Sequence, residues 1–87
     1  MEPKIISFNK FKDSSKYKKF THSVDLNMDK CGYSLIADYF LETGERSVDC
    51  AKAVAKSMNL SKGVIVWRRS KDLWGCPYLF LYYNENG

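Results

Sequence analysis

Five residues within eight positions carry the most recognisable chemistry in this chain: Trp67, Arg68, Arg69, Lys71 and Trp74. A guanidinium grips phosphate through parallel N–H donors, and an indole stacks on a base or receives a cation. Aromatic and basic residues interleaved this closely therefore suit single-stranded nucleic acid. The N-terminal arm repeats the theme in Lys10-Phe11-Lys12 and Lys16-Tyr17-Lys18-Lys19-Phe20. On this reading Arg68, Arg69 and Lys71 hold phosphates, Trp74 stacks or wedges, and Lys16, Lys18 and Lys19 add electrostatic affinity. The same residue types also dominate hot spots between proteins, and Trp67, lying in a strand pattern, is equally explained as core. The expected partner is a macromolecule: nucleic acid, or a protein complex that handles it.

Other chemistry finds fewer residues. Cys31, Cys50, Cys76 and His22 would make a Cys₃His set, but no two of the cysteines lie close in sequence. Structural zinc takes its ligands in closely spaced pairs. A cysteine nucleophile would need His22 as its base, and His22 alternates with Phe20, Val24 and Leu26 as a residue at the edge of a core would. Neither Asp25/Asp29 nor Glu42/Glu45 implies a pocket for paired-carboxylate work. No P-loop and no GxGxxG pattern occurs. The expectation is a non-enzymatic protein with no cofactor and no metal.

The elements that must position the basic and aromatic residues are bounded by size. With 87 residues and 10.1 kDa, the chain reads as one domain spanning 1–87. A chain this short buries only about 60–65% of its surface on folding. Its 45% hydrophobic and 15% aromatic content is too apolar for a disordered chain. Residues 1–19 are basic and partly loop-like, with a local charge of +4; residues 20–49 carry −4 and residues 50–87 carry +4. Two basic segments thus flank an acidic middle, an arrangement suited to phosphates or to an acidic protein partner. No apolar run is long enough to span a bilayer, and MEPKIISF lacks the apolar core of a signal peptide. With an odd number of cysteines, this points to a reducing, cytoplasmic setting and no membrane partner.

Periodicity predicts the elements. Lys4–Phe8 reads as a short strand, and Asn9–Lys19 as a loop with Asp13-Ser14-Ser15 as its turn. Over 18–27, Phe20, His22, Val24 and Leu26 alternate with polar residues, the period of a half-buried strand. Met28–Gly32 reads as a turn, and Tyr33–Thr43 as a strand hairpinned to 18–27, although its spacing also fits a helix. Ser47–Leu60 predicts a helix: Ser47 as N-cap, Asp49 in the first turn, and Ala51, Val54, Ala55 and Met58 on the apolar stripe. Asn59 or Gly63 can end it in a left-handed conformation. Val64–Trp67 and Tyr78–Tyr83 then read as a hairpin joined by 68–76. The expected fold is α+β: an antiparallel sheet of four to five strands with one α-helix packed on one face, in the order β-β-(β)-α-β-β.

Two resemblances widen the functional choice. Val54-Ala55, Met58-Asn59-Leu60, Ile65 and Trp67-Arg68-Arg69 are similar to the helix-turn-helix template of DNA-binding regulators. It departs from that template at Asn59, where glycine is usual, and at Val64 and Val66, which would be β-branched on a recognition helix. In size, lysine content and lack of catalytic motifs, though in no motif, the chain also resembles phage-encoded modulators such as anti-CRISPR proteins. That resemblance implies a viral inhibitor or adaptor docking on a host protein complex through the acidic middle, the aromatic sheet or an open strand edge. Nucleic-acid binding leads, with the inhibitor second and the helix-turn-helix regulator third.

Overall fold

The computed structural model describes all of residues 1–87. Its elements are β1 (Lys4–Ser7), α1 (Phe8–Lys12), α2 (Val24–Lys30), β2 (Ser34–Phe40), α3 (Ser47–Ser57), β3 (Val64–Lys71) and β4 (Pro77–Asn84). The four strands form one sheet in the order β1-β3-β4-β2. The class is α+β. The sheet is mixed, because β1 joins β3 in parallel while β3–β4 and β2–β4 are antiparallel.

Both faces of the sheet are covered, which explains why Val64-Ile65-Val66 shows no alternation. Ile65, Leu79 and Leu81 point to one face and pack with Leu41, Cys50, Ala51 and Ala55, the α3 side. Val64, Val66 and Tyr82 point to the other and pack with Phe11, Met28 and Tyr33, the side of α1 and α2. The expected single helix on one face is therefore joined by two short helices on the other. Residues 1–19 supply β1 and α1, and Phe11 is 1% exposed in the second core.

Several elements differ from the sequence reading. Residues 18–27 are not a strand: Val24–Lys30 is α2, capped by Ser23, whose hydroxyl accepts from Leu26 N at 3.3 Å. The alternation there was misleading, since Phe20 and Leu26 are each 54% exposed and Val24 and Met28, one helical turn apart, face the core. The expected Met28–Gly32 turn is the end of that helix, with Gly32 at φ +91. With no strand at 18–27, β2 pairs instead with β4, Phe40 opposite Tyr78 and Ser34 opposite Tyr83, with a bulge between Leu35 and Ala37. Within the expected loop, Phe8–Lys12 is helical because the Ser7 side chain accepts from Lys10 N.

The α3 helix forms where its stripe predicts, but its cap moves. Arg46 takes the cap position without a side-chain bond, and the Ser47 hydroxyl is buried with no partner. The turn Glu42–Glu45 sets this entry: Glu45 N donates to Glu42 O at 3.1 Å, and the Glu45 carboxylate accepts from Glu42 N at 2.6 Å. At its other end Asn59 is left-handed (φ +56), with Asn59 N donating to Lys56 O and Leu60 N to Ala55 O. This paired closure satisfies the terminal carbonyls. Strand β3 then occupies residues 64–71, where a helix-turn-helix would need its recognition helix, so that reading is set aside. No helix is long and apolar enough to cross a membrane.

Candidate binding surfaces

The loop between β3 and β4 is a tight, internally bonded turn. Asp72 N donates to Cys76 O at 3.1 Å, and Gly75 N to Asp72 O at 3.1 Å. The Asp72 carboxylate accepts from Trp74 N and Cys76 N, both at 2.9 Å, and Gly75 adopts φ +81. With its backbone polar groups satisfied inside the turn, the tip turns Leu73 and Trp74 outward, 95% and 83% exposed. Arg69 and Lys71 flank them and are exposed.

On the α1/α2 side of the sheet, the same end carries an aromatic run. Phe40 meets Tyr78 edge-on at 4.6 Å, Tyr78 lies 5.1 Å from Phe80, and Phe80 stacks on Tyr82 at 6.5 Å. Phe40 is 55% exposed. Leu41 N donates to Pro77 O, so the end of β2 is tied beside the foot of the hairpin. Phe40, Leu73 and Trp74 are apolar side chains left outside both cores. Sequence reasoning found Trp74 and missed the other two, because an apolar residue near a strand pattern reads as core.

The expected basic residues divide between places. Arg68 lies over the Phe80 ring at 4.0 Å, donates from Nε to the Tyr82 hydroxyl at 3.3 Å, and sits 4.0 Å from the Asp25 carboxylate. Its charge is therefore already engaged within the chain. Arg69, next along the strand, faces the opposite side with Trp67, which packs half-buried on the α3 core. Lys16, Lys18 and Lys19 lie elsewhere: Lys16 borders Val64 and Tyr33, and the Lys18 amide donates to Cys31 Sγ at 3.5 Å. From Val64 to Lys71 the strand runs about 23 Å at roughly 3.3 Å per residue, so the lysine arm and the Trp74 tip occupy opposite ends of the sheet. Arg69 and Lys71 line one surface with Ser70 and Pro77 at the foot of the hairpin whose tip carries Trp74; Arg68 and the three lysines do not join them.

The groups whose acidity is perturbed all move away from neutrality. Tyr82, fully buried, is raised by burial first and then by donating to Asp25 at 2.5 Å, with Arg68 opposing. Tyr39 is pushed up to about 12 by burial, then by the neighbouring Cys50 and Glu45. Burial likewise raises Tyr33, Tyr78 and the Cys50 thiol. Each raised group contributes stability that is intact below its unfolded value, 10.0 for tyrosine and 9.0 for cysteine, and is lost as pH climbs through the folded value. The urea midpoint should hold steady from about pH 7 to 9 and fall steeply above about 10, with Tyr39→Phe falling less. A midpoint unchanged between about pH 9 and 12 would contradict this.

No group of three or more His, Cys, Asp or Glu converges to hold a metal ion. The three cysteines are free: Cys50 buried, Cys31 half-buried, and Cys76 exposed at the hairpin. His22 is exposed rather than at the edge of a core. Compared with known proteins, the chain matches no protein-family model, no curated protein and no solved structure.

Proposed function

We propose that this chain is a non-enzymatic binding domain that docks on a protein partner through the β3–β4 tip and the adjoining end of β2. One observation carries the reading: Leu73 and Trp74 project, 95% and 83% exposed, from a turn held by its own hydrogen bonds. An indole presented on a preorganised turn loses little conformational freedom on docking, which is the property of a hot-spot anchor. Phe40 extends the apolar surface at the same end of the sheet. Arg69 and Lys71 supply a basic rim, so the complementary surface is an apolar cleft edged by carboxylates. The inhibitor or adaptor class accommodates this surface.

A photo-crosslinking residue at position 74, with one at Lys52 on the exposed side of α3 as control, tests the reading. A discrete protein adduct is expected from position 74 only, and Leu73→Ser or Phe40→Ser should weaken it at least about tenfold, the loss typical of an anchor residue. Equal adducts from both positions, or none from position 74, would overturn it.

A second reading, binding to nucleic acid, is favoured by the arm. Lys16, Lys18 and Lys19 are exposed, and the only ion pair in the chain is Arg68–Asp25. Unpaired ammonium groups are free to displace counterions from phosphates. Oligonucleotide affinity that drops steeply from about 50 to 200 mM salt and weakens in Lys16→Gln/Lys18→Gln/Lys19→Gln supports it. Salt-independent binding, or none at the lower salt, dismisses it.

A further inference from the structure

Strand β3 has eight residues and its neighbour β1 only four, so part of one edge of β3 has no partner. β1 pairs with it from Val64 to Trp67, whereas β4 pairs with it from Val64 to Lys71. β1 stops because the Ser7 side chain caps α1 and the chain leaves the sheet. Backbone groups along a strand face its two neighbours alternately. Gly63 O accepts from Lys4 N at 2.9 Å, so the odd-numbered residues of β3 face the β1 side and the even-numbered ones face β4. Beyond Trp67 this leaves Arg69 N, Arg69 O and Lys71 N on an open edge, and no turn or loop hydrogen bond reaches them.

Where β1 leaves off there is a hollow of about 280 Å³ with walls from both sides of the sheet. Phe8 of α1 and Val24 of α2 line it on one side, Trp67 and Arg69 on the other. Arg69 and Lys71 share a face, are exposed, and have no ion-pair partner. No carboxylate lines the hollow or the adjoining surface of Arg69, Ser70, Lys71 and Pro77. A strand laid here in line with β1 would meet two cations on one face and an apolar wall on the other. Carboxylates at alternate positions, with an apolar side chain between them, match both. The sheet's outer edges are blunted: β1 is only four residues long, and β2 carries a bulge between Leu35 and Ala37. The same two cations repel the basic edge of a second copy, so the fitting occupant is an acidic strand of another protein.

We infer that the open edge of β3 at Arg69 and Lys71 takes up an extended acidic segment of a partner protein as an added strand. Its backbone bonds to Arg69 N, Arg69 O and Lys71 N, its carboxylates lie toward Arg69 and Lys71, and the apolar side chain between them packs on Phe8 and Val24. Main-chain bonds then supply affinity, and the alternate side chains supply selectivity. The inference rests on the docking reading for the class of partner, a protein, and not on the Trp74 tip.

Amide NMR of the full chain at neutral pH tests the inference, with a blocked peptide of alternating valine and glutamate as the probe. In the free chain the Arg69 and Lys71 amides should exchange with solvent at least about tenfold faster than those of Arg68 and Ser70, which face β4. The peptide should give saturable shifts at Arg69 and Lys71 and slow their exchange at least about tenfold. Its N-methylated form, which keeps the charge but loses the backbone donors, should bind at least about tenfold more weakly. Arg69→Glu/Lys71→Glu, with an unchanged circular dichroism spectrum, should reject this peptide and accept one of alternating valine and lysine. Equal binding by the N-methylated peptide, amides already protected in the free chain, or shifts along β2 instead would overturn the inference. So would shifts at these amides caused by a single-stranded oligonucleotide and not by the peptide. The peptide titration and the position-74 adduct fail separately: an adduct without peptide binding overturns the edge and leaves the tip, and peptide binding without an adduct does the reverse.

Discussion

Replacing Asn27 by leucine is expected to lower the unfolding free energy by about 3–5 kcal/mol, a large part of the roughly 4–13 kcal/mol available to a chain of this length. Asn27 is 1% exposed and nearly saturates its amide. Its Oδ1 accepts from Phe20 N and Thr21 N, both at 2.9 Å, and from the Thr21 hydroxyl at 3.2 Å. Its Nδ2 donates to the Tyr17 hydroxyl at 3.1 Å and to Thr21 O at 3.0 Å. Leucine has similar volume and none of these bonds, so two backbone donors and a carbonyl lose their partner together. The segment 17–23 has no regular structure of its own, and this side chain fastens it to α2. Urea unfolding measures the total, and hydrogen exchange at Phe20 and Thr21 localises it. A loss below about 1 kcal/mol with both amides still protected would show that other contacts hold the segment.

Asn27 also shows what the sequence could and could not reveal. Ala51, Val54 and Ala55 recur at helical spacing, and Val64–Trp67 and Tyr78–Tyr83 are β-branched and aromatic, so α3, β3 and β4 were readable from local pattern. Around Asn27, local pattern pointed the wrong way. The alternation of Phe20, His22, Val24 and Leu26 suggested a strand, whereas the Ser23 cap and the reach of Asn27 back to Thr21 decide for a helix and an irregular approach. The type of β2 was legible and its partner was not, because pairing depends on which distant strand offers a matching face. The parallel placement of β1 was hidden for the same reason. At the candidate surfaces, Trp74 was visible as an aromatic among cations. The engagement of Arg68 by Asp25, Phe80 and Tyr82 was not, since those residues are far apart in the chain and adjacent only once α2 lies on the sheet. Arg68 and Arg69 looked like one clamp, yet a strand sends neighbours to opposite faces.

The backbone supplies the other large effect, in two glycines with nearly the same conformation. Gly63 has φ +91 and Gly75 has φ +81, so alanine is strained at both by about 1–2 kcal/mol. Their surroundings differ. A Cβ on Gly63 would collide with the Asn84 carbonyl oxygen, lie 2.6 Å from Glu85 Cα and 3.1 Å from Asn84 C, all backbone; a Cβ on Gly75 meets nothing within 4 Å. Backbone at the end of β4 cannot rotate away as a side chain tip would, so Gly63→Ala must part β4 from the turn leading into β3. Gly63 O also accepts from Lys4 N at 2.9 Å, which carries the displacement into the start of β1. Gly63→Ala should therefore cost about 3 kcal/mol or more, and Gly75→Ala only about 1 kcal/mol once its lower unfolded-state entropy is counted. Hydrogen exchange at Lys4 should rise in the first variant and stay unchanged in the second. Equal losses would mean that φ alone sets the cost and that the approach of Gly63 to β4 is loose. Unequal losses have a functional use: Gly75→Ala would disturb the turn presenting Leu73 and Trp74 while the sheet stays intact. A drop in docking by that variant, at near-native stability, would then report on the tip itself and not on the fold beneath it.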